Sequence, residues 1–457
     1  MKGYESYSPT DVKWLGDIPA SWKCKKIGSL FSERKTKVSD KDFVPLSVAK
    51  IGVVPQLETA VKSDAGDNRK LVRAGDFVIN SRSDRKGSCG VSELDGSVSL
   101  INIVLEPRQE WNGRYVHYLM RSHIFSEEYY RYGRGIVADL WTTRYSEMKN
   151  ILLPIPPRSE QEQIVRYLDW QVSKINKLIA AKKKEIALLR EQRQMEIDKA
   201  VLGSCMRDAD MPRGLSLADG WSIVKFNGYF TFNKGLSITK KDLRNEGAEV
   251  ISYGQVHSKL NTGTEIDDSL IRYVEDVYLD TSPNALVQKG DFIFADTSED
   301  FEGVGNCVFV DRDDTIFAGY HTLVARPKDG KANRYLAYLF KSSFWRYQLR
   351  KSVNGVKVYS ITQRILKNAF VLLPPEDVQK SIVIHLDNRC RIITEAVDKV
   401  TDEINILEEL KKKLISDVVT GQIDVRGIEV PDFEYEEDIN GISAEDENTE
   451  EISDDAE

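Results

Sequence analysis

Residues 301–305 read Phe-Glu-Gly-Val-Gly, the Phe-x-Gly-x-Gly spacing with which methyltransferases bind their cofactor. Such a loop lies between a strand and a helix, whereas here a second strand-like run, Cys-Val-Phe-Val, follows. We therefore interpret Gly303 and Gly305 as turn residues. The proline pairs at 156–157 and 374–375 stand outside any Asn/Asp-Pro-Pro-aromatic motif, and no G-x-x-x-x-G-K-[ST] loop for ATP is present. We predict no catalytic residue and no cofactor-binding residue in this chain.

The metal-binding and nucleophilic residue types are scattered. Five histidines form no H-x-x-x-H or H-E-x-x-H pair, and no two cysteines form C-x-x-C. We expect no metal site, no disulfide framework, and thiols that are buried or incidental. A nuclease centre of the Asp/Glu/Lys type is left open by spacing alone, because 72 acidic residues make chance pairs common. The cysteines are Cys24, Cys89, Cys205, Cys307 and Cys390.

Cations mixed with hydroxyl and amide groups are suited to DNA, since cations neutralise phosphates while donors and acceptors read base edges. The loop at 81–87, Ser-Arg-Ser-Asp-Arg-Lys-Gly, follows a strand-like run and is the strongest example. A solvated surface is the alternative for each residue. The DNA-binding candidates are Arg34, Lys35, Lys37, Arg69, Lys70, Arg82, Ser83, Arg85, Lys86, Asn233, Lys234, Lys240, Lys241 and Arg244.

The net charge of −8 is unevenly distributed. Residues 421–457 contain 15 acids and one arginine, so residues 1–420 carry a net charge of +6. A segment so acidic and so poor in large apolar residues is predicted to be a disordered tail. The mildly basic remainder permits nucleic-acid binding.

An internal repeat sets the organisation of the chain. Gly-Asp-Phe-Val-Ile at 75–79 returns as Gly-Asp-Phe-Ile-Phe at 290–294, and Lys149-Asn150 before one proline pair returns 218 residues later before the other. Gly203 and Gly421 are separated by the same 218 residues. A single offset held from residue 149 to residue 203 indicates duplication.

Each copy begins with a globular part, head 1 (residues 20–155) or head 2 (residues 204–373), preceded by an N-terminal segment at 1–19. Short runs such as Phe-Val-Ile-Asn and Asp-Phe-Ile-Phe-Ala, broken by Gly, Asn and Asp, predict strands. Each head also contains a helical insert beginning Arg-Tyr, at 114 and at 334. We predict an α+β fold with two similar β-rich domains.

Each copy ends in a long predicted helix, at 156–203 and at 374–420, with Ser159 as the expected N-cap of the first. Apolar residues recur at alternating steps of four and three, which is the pattern of a coiled-coil seam. The two helices should pack on each other, and 43 residues of helix would span roughly 65 Å. Lysine stripes at 182–184 and 411–413 either face solvent or line a DNA channel. The seam residues are Leu168, Val172, Ile175, Ile179, Ile186, Leu189, Leu386, Cys390, Ile393, Val397, Val400, Ile404 and Leu407.

The sequence resembles the specificity subunits of type I restriction–modification systems over residues 12–421. The resemblance is carried by Trp-Leu-Gly-Asp-Ile-Pro at 14–19, Ala-Gly-Asp-Phe at 74–77, and Leu-Pro-Ile-Pro-Pro at 153–157 followed by Glu160-Gln161. The second copy departs from this pattern, having Val378-Gln379 in place of Glu-Gln.

This resemblance implies that each head recognises one half of a bipartite DNA target. It also implies that the helices form an antiparallel ruler that docks two modification subunits, which bind S-adenosylmethionine. Separate restriction subunits would use ATP and Mg²⁺ for translocation and cleavage.

Two other functions remain open from the sequence: a self-sufficient nuclease or methyltransferase with two recognition domains, and a structural coiled-coil protein with β-rich ends. No stretch reaches the length of a membrane span and the start has no apolar signal core, so we expect a cytoplasmic protein without a membrane partner.

Overall fold

The computed structural model describes residues 3–57, 66–135, 141–203, 217, 219–331, 333–355 and 358–435. The chain forms two compact units, and each unit combines one head with parts of both long helices. Unit 1 comprises residues 1–185 and 400–457, and unit 2 comprises residues 186–399. Unit 1 is therefore assembled from segments that lie far apart in the sequence.

Short strands dominate the chain from the N-terminal segment to the start of the first long helix. The strands are β1 (Tyr7–Pro9), β2 (Asp17–Pro19), β3 (Lys23–Lys26), β4 (Phe31–Glu33), β5 (Lys37–Val38), β6 (Leu46–Ala49), β7 (Gly52–Pro55), β8 (Arg69–Val72), β9 (Phe77–Asn80), β10 (Cys89–Val91), β11 (Gly96–Ser99), β12 (Asn102–Pro107) and β13 (Leu152–Ile155). The helices are α1 (Ile27–Leu30), α2 (Gly113–Arg121), α3 (His123–Arg131), α4 (Tyr145–Met148) and α5 (Arg158–Leu202).

Head 1 is built around an antiparallel sheet in the order β10-β9-β12-β4. Phe77, Val78 and Ile79 of β9 are all buried, as expected for an apolar run covered on both faces. Val78 packs with residues of a smaller sheet, β11-β8-β5, and of the β6–β7 hairpin. The Gly-Asp-Phe motif thus begins an interior strand whose position is fixed on all sides.

Head 2 again combines short strands with helices and leads into the second long helix. The strands are β14 (Ser222–Lys225), β15 (Phe230–Lys234), β16 (Ala248–Ile251), β17 (Arg272–Val274), β18 (Phe292–Ala295), β19 (Thr297–Ser298), β20 (Cys307–Phe309), β21 (Ile316–Ala318), β22 (Thr322–Pro327), β23 (Tyr359–Ser360) and β24 (Phe370–Leu373). The helices are α6 (Phe226–Tyr229), α7 (Tyr253–Val256), α8 (Val277–Thr281), α9 (Arg334–Lys341), α10 (Ser343–Arg350), α11 (Gln363–Asn368) and α12 (Glu376–Val419).

The main sheet of head 2 repeats that of head 1 with larger side chains, whereas its second sheet contains a parallel pair that the described strands of head 1 lack. The main antiparallel sheet of head 2 has the order β15-β22-β18-β20, and a second sheet has the order β17-β16-β21. Phe226, Phe292, Phe340 and Trp345 pack against one another in its core with tilted or edge-to-face rings. In both heads the first strand pairs with the last, β3 with β13 and β14 with β24, so the long helix begins beside the start of its head.

A buried aspartate holds the same place in both heads. Asp76 and Asp291 are each about 1% exposed, and each accepts hydrogen bonds from an arginine. In head 1 that arginine is Arg34, which follows β4, whereas in head 2 it is Arg326 on β22. A buried carboxylate needs a cation, and two different strands of the same sheet provide it in the two heads.

Both long helices predicted from the sequence are present. α5 has 45 residues and begins at Arg158, where the Pro157 carbonyl accepts from the amide of Gln161. Pro157 therefore occupies the N-cap position expected of Ser159, which lies within the helix. α12 has 44 residues. The chain thus combines long helices with sheets, as the mixed fold class requires.

Within unit 1 the two helices run antiparallel. Lys182 of α5 pairs with Glu403 of α12 at 2.8 Å, and Asn176 accepts from Lys411 at 3.1 Å, so numbers rise along one helix as they fall along the other. Within unit 2, Glu196 of α5 accepts from Arg389 of α12 at 2.9 Å. The thirteen predicted seam residues are all buried or half-buried.

The segment after α12 differs from the sequence-based expectation. We expected disorder from residue 421 onward, but Val425 and Val430 are buried in unit 1. Gln163 of α5 donates to the carbonyls of Val425 and Ile428 at 3.0 and 2.7 Å. Isolated apolar residues that fit a helix surface order the segment despite its acidic composition. Residues 436–457 of the predicted tail lie outside the described residues.

Among the described residues, no helix is long and apolar enough to span a bilayer.

Candidate nucleic-acid interface

The loop after β9 places the strongest sequence candidates on a rigid support. Asn80, the last residue of the strand, accepts a hydrogen bond from the amide of Arg82 at 3.0 Å, and Ser83–Arg85 form a single 3-10 turn. The Tyr130 hydroxyl of α3 donates to the Arg85 carbonyl at 3.2 Å. The interior strand at one end and α3 beneath therefore fix the backbone of this loop.

A second segment of head 1 lies beside the loop and adds groups that the sequence analysis missed. The Ser83 amide donates to the Trp141 carbonyl at 3.0 Å, and Thr142 forms bridges with both Arg82 and Arg134. We call the two segments together the head 1 ribbon, residues 81–87 with 134–135 and 141–144. Its side chains include Arg134, Arg144 and Trp141, which is 39% exposed.

The missed residues have a recognisable signal in the sequence. They come from Arg-Tyr-Gly-Arg-Gly at 131–135 and Trp-Thr-Thr-Arg at 141–144, where arginines, aromatic residues and glycines are mixed. Such mixtures are typical of nucleic-acid contacts. The two stretches flank residues 136–140, which lie outside the described residues, and no sequence rule pairs them with the loop after β9.

Three cations of the ribbon are free to bind a phosphate. Arg85, Arg134 and Arg144 form no ion pair with any described residue, whereas Arg82 pairs with Asp84 at 3.1 Å. Lys86 pairs with Glu127 of α3. The pKa of Glu147 is lowered by a hydrogen bond from Ser146 and, to a smaller degree, by Arg134 and Arg144. These two arginines thus create a positive potential at one place on the surface.

Three other DNA-binding candidates of head 1 are bonded to residues inside the head, so we remove them from the candidates for DNA contact. Arg69 is buried and donates to the hydroxyl and carbonyl oxygens of Ser97, and its burial lowers its pKa. Lys70 is mostly buried and donates to the carbonyl of Asn102, while Arg34 is held by Asp76. Arg69 and Lys70 lie on β8 and Arg34 directly follows β4, and all three side chains are directed to partners within the head. Lys35 and Lys37 are exposed, and Lys35 pairs with Glu33 at 3.3 Å.

The head 2 candidates lie on β15 and the turn that follows it. Lys234, Lys240 and Lys241 are exposed, whereas Asn233 is half-buried. Arg244 is exposed and pairs with Glu275 at 2.8 Å. The structure joins none of the five to the segment that corresponds to the head 1 ribbon.

That corresponding segment, the head 2 ribbon, consists of β19 paired with β23. The loop after β19 exposes Glu299, Asp300, Phe301 and Glu302 in succession. It is held by α10, since Arg346 and Arg350 both donate to the Glu302 carbonyl at 2.7 Å. The acids thus lie on the loop and the cations on the helix, the reverse of head 1.

The Phe-x-Gly-x-Gly stretch belongs to this loop and is a turn. Gly305 has a φ of 90°, a left-handed conformation that favours glycine, and β20 follows. The Arg346 guanidinium donates to Asn306 at 2.8 Å. A strand, not a helix, follows the glycines, as the sequence predicts.

Comparison with known proteins identifies the family that this arrangement resembles. Residues 218–405 match the family model described as "Type I restriction modification DNA specificity domain". The Type I restriction enzyme MjaVIII specificity subunit of Methanocaldococcus jannaschii is 21% identical over 286 residues, which are 61% of this chain and 64% of that protein. The chain therefore spans slightly less than two thirds of this relative.

A second relative covers more of the chain. The putative type I restriction enzyme MjaX specificity subunit of the same organism is 19% identical over 450 residues, which are 92% of this chain and 97% of that protein. The predicted resemblance to type I specificity subunits is confirmed.

The fold is shared with a solved structure from the same kind of system. It is described as "Structural basis underlying complex assembly and conformational transition of the type I R-M system" and is 17% identical. The match covers 89% of this chain and 99% of that chain, with a TM-score of 0.59. At this identity the likeness extends to the fold alone.

The four cysteines that the structure describes have pKa values raised by burial. Cys89 on β10 and Cys307 on β20 are buried, and burial raises their pKa values to about 11 and about 12, so both are protonated near neutral pH. Burial also raises the pKa values of Cys24 and Cys390, while Cys205 lies outside the described residues. In the part of the chain that the structure describes, no three His, Cys, Asp or Glu residues group to hold a metal.

Proposed function

We propose that this chain is the DNA-specificity subunit of a type I restriction–modification complex and recognises a bipartite target, one half-site per head. Its boundaries follow the repeat: recognition domains at 20–155 and 204–373, spacer helices at 156–203 and 374–420. The chain itself performs no chemistry and acts in the cytoplasm, where the DNA is.

The observation that supports this proposal is a duplicated scaffold with divergent ribbons. Both heads carry a ribbon formed by the loop after the Gly-Asp-Phe strand and a later segment. The head 1 ribbon exposes arginines and a tryptophan, whereas the loop of the head 2 ribbon exposes acids and a phenylalanine. Two heads that read different sequences need such differences, and a purely structural duplicate does not.

The long helices have a separate role in this proposal. They form an antiparallel spacer that sets the distance between half-sites, and each end of the spacer docks one modification subunit. The modification subunits bind S-adenosylmethionine and methylate adenine, and restriction subunits bring ATP and Mg²⁺. The antiparallel pairing within unit 1, Lys182 with Glu403, supports the arrangement.

The test is methylation by the reconstituted complex. The chain, co-purified with the modification subunits encoded beside it, should methylate adenines in a two-part motif with a fixed gap when S-adenosylmethionine is added. The chain alone should transfer no methyl group. Methyl transfer by the chain alone, or methylation without any sequence motif, would contradict the proposal.

Exchange of one head provides the matched control. Replacing residues 20–155 with the corresponding domain of another specificity subunit should change one half of the methylated motif and leave the other half and the gap unchanged. A change in both halves would show that the heads do not read independently.

A further inference from the structure

Head 2 contains a groove with mixed polar and apolar walls on the side of its ribbon formed by β23. The groove lies between the C-terminal end of α10 and α11 and has a volume of about 730 Å³. It is lined by Tyr347, Gln348, Lys351, Ser352, Asn354, Ser360, Thr362, Arg364, Ile365, Asn368, Ala369 and Phe370. No acidic residue is among them, so no carboxylate of this lining would repel a phosphate.

Two exposed cations stand in the groove. Lys351 and Arg364 form no ion pair with any described residue, and the Lys351 ammonium lies 5.7 Å from the ring centre of Tyr347. Tyr347 is itself 48% exposed. Unpaired cations beside an accessible aromatic ring suit a phosphate backbone with a sugar or base against the ring.

Two exposed polar side chains in the groove are also unused by the protein. Asn354 and Ser360 make no side-chain hydrogen bond with a described residue. An asparagine can pair in bidentate fashion with adenine, and a serine hydroxyl can donate or accept at any base edge. The groove therefore offers both kinds of contact that sequence recognition needs.

The walls of the groove are held in place by other bonds. Gln348 donates to the Phe370 carbonyl at 3.2 Å and accepts from the Phe370 amide at 2.8 Å, which ties α10 to β24. Asn368 donates to the Arg364 carbonyl at 3.0 Å, and Thr362 caps α11. These bonds fix the backbone of the walls, so binding does not have to order that backbone.

The other side of the same ribbon is unsuited to DNA. There Glu299, Asp300 and Glu302 are exposed, and three clustered carboxylates repel phosphates. We propose that head 2 reads its half-site through this groove, with Lys351 and Arg364 on phosphates and Asn354 and Ser360 on base edges. The inference rests on the proposed function and locates the reading surface of head 2 outside the cations chosen from its sequence.

The experiment uses the full chain in complex with its modification subunits. Binding is measured against salt concentration on three DNAs: the methylated motif, the motif with the head 1 half scrambled, and the motif with the head 2 half scrambled. Lys351→Ala with Arg364→Ala should reduce the log–log salt slope by about two units. The control pair Lys259→Ala with Lys331→Ala, which removes two exposed cations of head 2 outside the groove, should leave the slope unchanged.

Specificity provides the second readout. Asn354→Ala should lower the preference for the intact head 2 half-site by roughly 5- to 150-fold, the equivalent of one bidentate pair, and leave the head 1 preference unchanged. A wild-type slope in the groove variant, or an unchanged preference in Asn354→Ala, would overturn the inference. A wild-type complex that does not distinguish the three DNAs would instead refute the proposed function.

Discussion

In both heads the loop after the Gly-Asp-Phe strand is attached to a helix, but the cations of this contact lie on the loop in head 1 and on the helix in head 2. In head 1 the cation Lys86 is on the loop and its partner Glu127 is on α3. In head 2 the cations Arg346 and Arg350 are on α10 and bind the carbonyl of Glu302 on the loop. The fold requires only that loop and helix attract each other, so the sign of the exposed charge is free to vary. DNA recognition depends on that sign.

In the interior the ion pair is kept, but the position of its arginine varies between the heads. The buried aspartate is kept in both heads, yet its arginine changes strand. The strand registers place Glu106 of head 1 where head 2 has Arg326, and Arg34 of head 1 where head 2 has Asn233. The two positions have exchanged the cation while the buried ion pair has been preserved.

The largest expected effect comes from breaking this pair. Asp76→Ala should lower the free energy of unfolding by about 3 kcal/mol, because it removes the buried carboxylate that accepts from Arg34 and from the Arg73 amide. The largely buried Arg34 guanidinium then keeps only the half-exposed Glu106 as a partner, at 3.1 Å. The measurement is chemical denaturation of the full chain, and the exposed pair Arg73–Asp95 supplies a control, since Asp95→Ala should change stability far less.

A second substitution that restores the ion pair tests whether the two heads have equivalent strand registers. Arg34→Asn should also destabilise the chain, and adding Glu106→Arg should restore most of the loss by reproducing the arrangement of head 2. Absence of rescue would mean that the two heads do not have equivalent registers.

The next effect concerns the segment after α12. Truncation after Gly421 should lower the free energy of unfolding by about 3 kcal/mol, because it removes the buried side chains of Val425 and Val430 from unit 1. Truncation after Tyr435 is the control and should leave thermal stability unchanged. Equal melting temperatures for both truncated chains would contradict the packing described for residues 421–435.

The third effect is on binding. Replacing Arg85, Arg134 and Arg144 with alanine in the reconstituted complex should reduce the log–log salt slope of DNA binding by about three units. Three fewer DNA phosphates would be neutralised by the protein, so fewer counterions would be released on binding. Replacing three lysines at β3, Lys23, Lys25 and Lys26, which are exposed, is the matched control and should have little effect. If the two triple variants bind alike, the head 1 ribbon does not contact DNA.

The smallest effect is on pH dependence, at the equivalent cysteines Cys89 and Cys307. Both have folded pKa values raised by burial, to about 11 and about 12, above the value of an exposed thiol. Their contribution to stability is thus complete below about pH 8.5 and declines as the pH rises towards the folded pKa values, because only unfolded chains ionise in that window. Serine at either position should remove the corresponding decline between about pH 9 and 11 in urea melts.

Much of the fold follows from local pattern. The seam residues repeat with a helical period, the Gly-Asp-Phe strands are apolar throughout, and the constant offset reveals the duplication; each needs only neighbouring residues to be recognised. The loop at 81–87 is a candidate for the same reason, since its cations are contiguous in sequence.

What the sequence could not provide is which distant segments meet and which side chains turn inward. Arg34, Arg69 and Lys70 have the composition of a DNA contact, but strand register directs them to Asp76, Ser97 and the Asn102 carbonyl. Trp141 and Thr142 join the loop after β9 through backbone contacts with Ser83 and Arg82, across about 60 residues of chain, and Arg134 is held beside them by its bridge to Thr142.

The sequence by itself determined the duplication, the element types and the long helices. The periodicity of apolar residues depends only on near neighbours in the chain, and the offset is found by comparing the sequence with itself. The tertiary structure alone decided which cations remain free for a phosphate. A charged side chain is available for binding only when folding leaves it exposed and without a carboxylate, and that depends on residues far away in the chain.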